Sequence, residues 1–122
     1  IHAATGGDLV LVARNREKLE EIKADLESSC GISVLTIAMD LSRDDAADRV
    51  FAQTEAAGIK VSLLINNAGV MVPPKTITDD GFELQFATNH LGHFALTGRL
   101  LKALLAARDA GRFSIMKTSS IP

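Results

Sequence analysis

The chain has 122 residues, 47% of them hydrophobic and 23% charged, which suits one compact domain rather than two. Its 13 Lys and Arg against 15 Asp and Glu leave a formal charge of −2 with no basic stripe, which argues against a nucleic-acid partner. The longest apolar-rich stretch, Leu100 to Ala107, is broken by Lys102 and far too short to span a bilayer, and no signal segment opens the chain. The single Cys30 excludes an internal disulfide and favours a reducing compartment such as the cytoplasm.

Apolar runs alternate with amphipathic stretches along the whole length. Gly6-Gly7 reads as a helix C-terminal turn, making Ile1 to Thr5 a helical stump. Asp8 to Ala13 is short, apolar and β-branched, as expected of a strand buried on both faces. Asn15 caps a helix through Ser28, with Leu19, Ile22 and Leu26 at three- and four-residue spacing. Ser33 to Met39 is a second strand with Asp40 at its end. Ser42-Arg43-Asp44-Asp45 resembles a capping box opening a helix over 43–57, which Gly58 ends. Val61 to Ile65 is a third strand, running into Asn66-Asn67-Ala68-Gly69. After a loop from Val70 to Ile77 with Pro73-Pro74, Thr78 caps a long helix to Arg108, with Asp79 and Asp80 at its positive end. Phe113 to Thr118 forms the last strand. The repeating βαβ order predicts an α/β fold with a doubly wound parallel sheet.

Ligands of open parallel sheets sit outside the carboxyl ends of the strands. That rule selects Ala13-Arg14-Asn15, Asp40-Leu41, Asn66 to Gly69, and Ser119-Ser120, where polar and glycine residues gather. The strand assignments did not assume this clustering, so it supports a site independently.

Asn66-Asn67-Ala68-Gly69 after an apolar strand, then Asn89-His90-Leu91-Gly92-His93-Phe94 about one helix later, resembles the short-chain dehydrogenase/reductase family. Asp40-Leu41, Val12-Ala13-Arg14-Asn15 and Ser119-Ser120 match in the same order, so the resemblance runs essentially from end to end. Phe82 to Thr97 looks most like the retinol-dehydrogenase branch, and residues 8 to 65 more like general bacterial reductases. The resemblance implies a Rossmann-like fold and a nicotinamide dinucleotide, with a carbonyl or alcohol as substrate. Arg14, with Asn15, would receive the 2′-phosphate of NADP(H), because guanidinium offers forked, charge-assisted hydrogen bonds; an acidic residue there would hold the ribose of NAD(H). Asp40 would accept from the adenine amino group and Leu41 back the adenine through its main chain. Asn66 would hold neighbouring strands while Ala68 and Gly69 touch the cofactor. Gly69 is also expected to supply backbone conformations closed to other residues.

Two catalytic positions follow from the same resemblance. Asn89, placed by its spacing on one helical face with Phe82, Phe86, His93 and Leu96, would orient a water that relays protons to a catalytic Lys. Ser120, with Ser119 as the alternative register, would polarise the substrate oxygen. Gly92, costly in a helix interior, is explained by close packing of the helix on the sheet. His90 and His93 have metal-like spacing, but no third ligand is evident, so no metal is expected.

The family's Tyr-x-x-x-Lys pair is not in this sequence, which has no Tyr. Nor is there a glycine-rich phosphate turn. The resemblance also places a further strand between those at 8–13 and 61–65, so an incomplete sheet and a parent longer than this chain are expected. Two other functions stay open: a catalytically inactive dinucleotide-binding sensor or scaffold, and a nucleoside-cofactor methyltransferase. Leu96, Leu100, Leu101, Leu104 and Leu105 on the long helix point either to core packing or to a homo-oligomer interface, which the equivalent helix builds in the family.

Overall fold

The computed structural model describes residues 7–109 and 114–117; the expected stump over 1–5 and its Gly6 turn, and both Ser119 and Ser120, lie outside them. In chain order come β1 (Leu9–Ala13), α1 (Arg16–Cys30), β2 (Val34–Ala38), α2 (Ala46–Ala56), β3 (Leu63–Asn66), α3 (Leu84–Phe86), a π-turn (Ala87–Leu91), α4 (Gly92–Asp109) and β4 (Ser114–Lys117). The chain divides into two units, residues 1–40 and 41–122, each containing one two-stranded parallel sheet.

In the first unit, β1 pairs with β2 from Leu9↔Val34 to Ala13↔Ala38, and Met39 N–H extends the ladder to the Ala13 carbonyl at 2.8 Å. With a strand partner on one side only among the described residues, Leu9 to Val12 are half-buried and Ala13 exposed, not buried on both faces as the apolar run suggested. Asn15 caps α1 as expected, its side-chain oxygen accepting from Lys18 N–H at 3.0 Å. The helix runs two residues past Ser28 because Gly31 takes a left-handed φ of 65° and returns its N–H to the Glu27 carbonyl. Leu19 is the buried anchor of this helix, while Leu26 is half-buried and Ile22 exposed. Val34, Ile37 and Met39 are buried along β2. Glu20 and Glu27 of α1 reach β2: Glu27 accepts from Val34 N–H at 3.0 Å and Glu20 from the Thr36 hydroxyl at 2.6 Å.

In the second unit, β3 pairs with β4 from Leu63↔Ser114 to Asn66↔Lys117, which places Lys117 in the strand despite its charge. Leu64, Leu100 and Leu104 form the core here, with Phe51, Val61 and Leu96 packed against it. Arg99 of α4 is ion-paired with Asp48 of α2. α2 ends as Gly58 suggested: at φ 69° it lets Ile59 N–H return to the Thr54 carbonyl.

Two helix starts differ from the sequence reading. α2 begins at Ala46, not 43, because the Asp45 carboxylate is drawn to Arg43 (3.0 Å) and Arg49 (3.5 Å) and caps nothing. The later helix begins at Leu84, not 79. Gly81 at φ 83° closes a turn in which Thr78 and Phe82 bond, Ile77 bridges Glu83, and the Glu83 carboxylate accepts from Gln85 and Phe86 N–H at 2.8 Å. Thr78 still accepts from an N–H, that of Phe82, but within this turn. Nor is the helix uniform: five residues form a π-turn, closed by Gly92 N–H on the Ala87 carbonyl.

Candidate functional site

The first unit presents its site residues at one sheet edge. In-register parallel pairing of Ala13 with Ala38 means that Arg14-Asn15 and Met39-Asp40 leave the same carboxyl end. Arg14 lies in the turn between β1 and α1, exposed, and has no ion-pair partner among the described residues. The Asn15 carbonyl is occupied by the helix cap, so what it can offer a ligand is its amide N–H. Asp40 is exposed at the end of β2. An unpaired guanidinium beside capped amides suits an anionic ligand bearing a phosphate, as the 2′-phosphate of NADP(H) requires.

The second unit builds around the end of β3. Asn67 N–H bonds the Ile65 carbonyl at 3.1 Å, turning the chain sharply at Asn66. Asn66 is buried, and its Nδ2 donates to the Thr97 hydroxyl of α4 at 3.2 Å; that hydroxyl donates to the His93 carbonyl at 2.7 Å. Ala68 is half-buried and Gly69 exposed. The conformational argument for Gly69 does not hold, since its φ is not positive. The left-handed residue of this loop is Val72, at φ 45°, between Val70 and Pro73. A β-branched residue there stores about 1–3 kcal/mol of strain and needs fixed surroundings.

Those surroundings come from Asn89. Its Oδ1 accepts from Val70 N–H at 2.8 Å, and its Nδ2 donates to the Val70 carbonyl at 2.9 Å. Both main-chain groups of the residue after Gly69 are therefore held by one amide, from a half-buried position in the π-turn. The single apolar face expected for Asn89 is not formed. Phe82 lies outside the helix, Phe82 and Phe86 are both exposed, and the π-turn after Phe86 shifts the helical phase of the residues that follow. His90 stacks on Phe86 at 5.2 Å, whereas His93 is buried, so the two histidines do different things. Among the described residues no group of three His, Cys, Asp or Glu gathers as a metal site would need.

Gly92 is explained by close packing, though onto a different element than the sheet. A methyl group placed on it would stand 3.1 Å from the Leu41 carbonyl oxygen and 3.4 Å from that of Ala87. Leu41 thus meets α4 through its main chain. Ser120 and its alternative Ser119 follow β4 outside the described residues. Sequence reasoning missed Val70, Thr97 and Glu83. Only Glu83, shortly after a glycine and just before an apolar helical stretch, carried a local signal.

Comparison with known proteins adds the family. Human retinol dehydrogenase 13 is 39% identical over 110 residues, covering 86% of this chain and 32% of that protein. The chain therefore spans about a third of that relative's length. A short-chain dehydrogenase from Sphingobium yanoikuyae, solved in complex with NADPH, is 29% identical with a TM-score of 0.76, covering 98% of this chain and 46% of that one. A metagenomic short-chain oxidoreductase in complex with NADP is also 29% identical, with a TM-score of 0.78 over 98% of this chain and 53% of that one. These likenesses give the α/β architecture as part of a doubly wound, Rossmann-like fold. The family model for short chain dehydrogenase matches residues 2–121. The chain belongs to the short-chain dehydrogenase family.

Proposed function

We propose that this chain carries cofactor-binding and positioning residues of an NADP(H)-dependent oxidoreductase acting on a carbonyl or alcohol. The observation that carries the cofactor choice is Arg14, exposed at the carboxyl end of β1 without an ion-pair partner among the described residues. Two structural relatives were solved with NADPH or NADP, which supports the same choice over NAD(H). When bound, the dinucleotide supplies or accepts the hydride. Arg14 and the Asn15 amide hold the 2′-phosphate; Asp40 and the Leu41 main chain hold the adenine. Asn66, Ala68 and Gly69 form the turn against which the other end rests, and Asn89 keeps the following residue in place while serving the proton relay. Ser120, or Ser119, polarises the substrate oxygen.

Titrating the protein with NADPH and NADH by nicotinamide fluorescence tests this reading. NADPH should bind more tightly, and Arg14→Glu should remove that preference. A charge-assisted hydrogen bond contributes about 1.5–3 kcal/mol, so the loss should be about ten- to a hundredfold. Equal affinities in the unsubstituted protein would sink the NADP(H) assignment.

A second reading is a dinucleotide-binding sensor or scaffold without turnover. Carbonyl-dependent loss of NADPH absorbance, measured on the full-length parent protein, separates the two: turnover supports the reductase, and tight binding without turnover supports the sensor. Self-association through α4 belongs to the same proposal, because Phe94, Leu101 and Leu105 are exposed while Leu100 and Leu104 fill the core. No described helix is long and apolar enough to cross a membrane. A cytoplasmic setting is proposed on the lone Cys30 alone.

A further inference from the structure

We propose that Val72 is a positioning residue that changes backbone conformation when the nicotinamide end of the dinucleotide binds, and that its strain in the free protein makes the change easy. This inference rests on the dinucleotide reading above, and the residues it concerns lie wholly in the second unit. Among the described residues Val72 is the one non-glycine with a positive φ, at 45°. A β-branched side chain is crowded there, and Pro73 also pushes the residue before it toward extended backbone. Nothing local offsets that cost. The Val72 side chain is 84% exposed, and among the described residues the main chains of Met71 and Val72 make no hydrogen bond.

The strained conformation is held from the ends of its segment. On one side both main-chain groups of Val70 are bonded, at 2.8 and 2.9 Å. On the other, the Thr76 hydroxyl donates to the Pro74 carbonyl at 2.8 Å, and the Thr76 carbonyl accepts from Leu84 N–H at 2.9 Å. Between these anchors the smallest motion that reverses φ at Val72 is rotation of the peptide plane joining it to Met71, as between the common four-residue turns. That rotation exchanges the directions of the Met71 carbonyl and the Val72 N–H, an acceptor and a donor. The segment directly follows the Ala68-Gly69 turn against which the nicotinamide end is proposed to rest, and a carboxamide can pair with both groups. A ligand shifts such an equilibrium only by its difference in affinity for the two states. Strain at Val72 raises the free conformation toward the other, so a pair of hydrogen bonds suffices to turn it over. A residue at ease in the left-handed region would leave the ligand a larger gap to overcome.

The test measures urea stability without ligand, and the dissociation constants of NADPH and of 2′,5′-ADP, which carries only the adenine end, on variants of the full-length parent protein. Asn accepts a left-handed backbone far more readily than Val, and the exposure of position 72 leaves no packing to lose. Val72→Asn should therefore raise the unfolding midpoint of the free protein and weaken NADPH by about fivefold or more. Val72→Gly should weaken NADPH in the same direction. Val72→Ile keeps the β-branch and the strain, and should match the unsubstituted protein in both measurements. Binding of 2′,5′-ADP should stay within about twofold throughout. A Val72→Asn protein that is more stable but binds NADPH unchanged overturns the proposal, because the strain then persists in the complex. Weaker NADPH binding without a gain in stability overturns it too, since a lost side-chain contact explains that result. So does a parallel loss of 2′,5′-ADP. Failure of the unsubstituted protein to bind either ligand overturns the dinucleotide reading itself, and with it this inference.

Discussion

The two units hold their strand ends by different means. In residues 7–40, the turn after β1 is fixed by its own neighbours: Asn15 caps the helix that follows it, and Gly31 closes that helix at the other end. Arg14 is left exposed. In residues 41–122, the turn after β3 is fixed from a distance. Asn66 bonds Thr97, 31 positions away, and Asn89 reaches back 19 positions to Val70. A local cap costs little ordering entropy and ties up no distant side chain. Distant side-chain bonds constrain a strained loop that local sequence does not specify, at the cost of ordering two segments at once.

This contrast can be broken or sharpened by substitution, with unfolding monitored by amide exchange so that each unit reports separately. The largest effect belongs to Leu104→Ala. Leu104 has no exposed surface, so truncation should cost about 2–5 kcal/mol and show in residues 41–117. Next comes Asn89→Ala, which leaves the part-buried N–H and carbonyl of Val70 unpaired, a loss of about 1–3 kcal/mol visible as faster exchange from Val70 to Ile77. If exchange in that loop does not change, distance does not secure it and the contrast fails. Asn15→Ala should cost about 1 kcal/mol, with protection lost over the first turn of α1. Gly81→Ala should cost a similar amount, about 1 kcal/mol, through its φ of 83° and not through crowding, since nothing stands near its Cβ position.

The smallest effect is one of pH. The Arg43 side-chain hydrogen bond, helped by the charges of Arg43 and Arg49, holds the exposed Asp45 carboxyl below its ordinary 3.8. Its contribution is therefore full at neutral pH and is lost as pH falls from 3.8 through the lower folded value. Asp45→Asn should abolish that dependence, and added salt should weaken it, as expected of a surface pair.

The contrast between units also decides what was legible. Asn15, Gly58 and the four described strands could be found from residue type because their causes lie within a few positions. The two helix starts at 43 and 79 were misplaced because carboxylates were assigned to helix ends they do not serve: Asp45 pairs with arginines, and Glu83 takes the capping role expected of Thr78. The π-turn left no periodic signature, since one extra residue looks like an ordinary irregularity in an apolar stripe. Asn89 was identified by resemblance, but its partner Val70 was not, because a bond to main chain places no demand on the partner's side chain. Gly92 was understood as a packing glycine; its partner at Leu41 required three dimensions.

One bond in the first unit bears on solubility. Leu9 and Ala13 bond to residues flanking their register partners, so the main-chain groups of Val34, Thr36 and Ala38 point to the other edge of β2. An open edge of that kind is a template onto which another chain can add a strand. The Glu27 carboxylate occupies the Val34 N–H, and Glu20 adds negative charge along the same strand. Helix α1 thereby acts as a guard against edge-to-edge growth, and Glu27→Ala should express itself first as concentration-dependent aggregation, ahead of any change in ligand affinity.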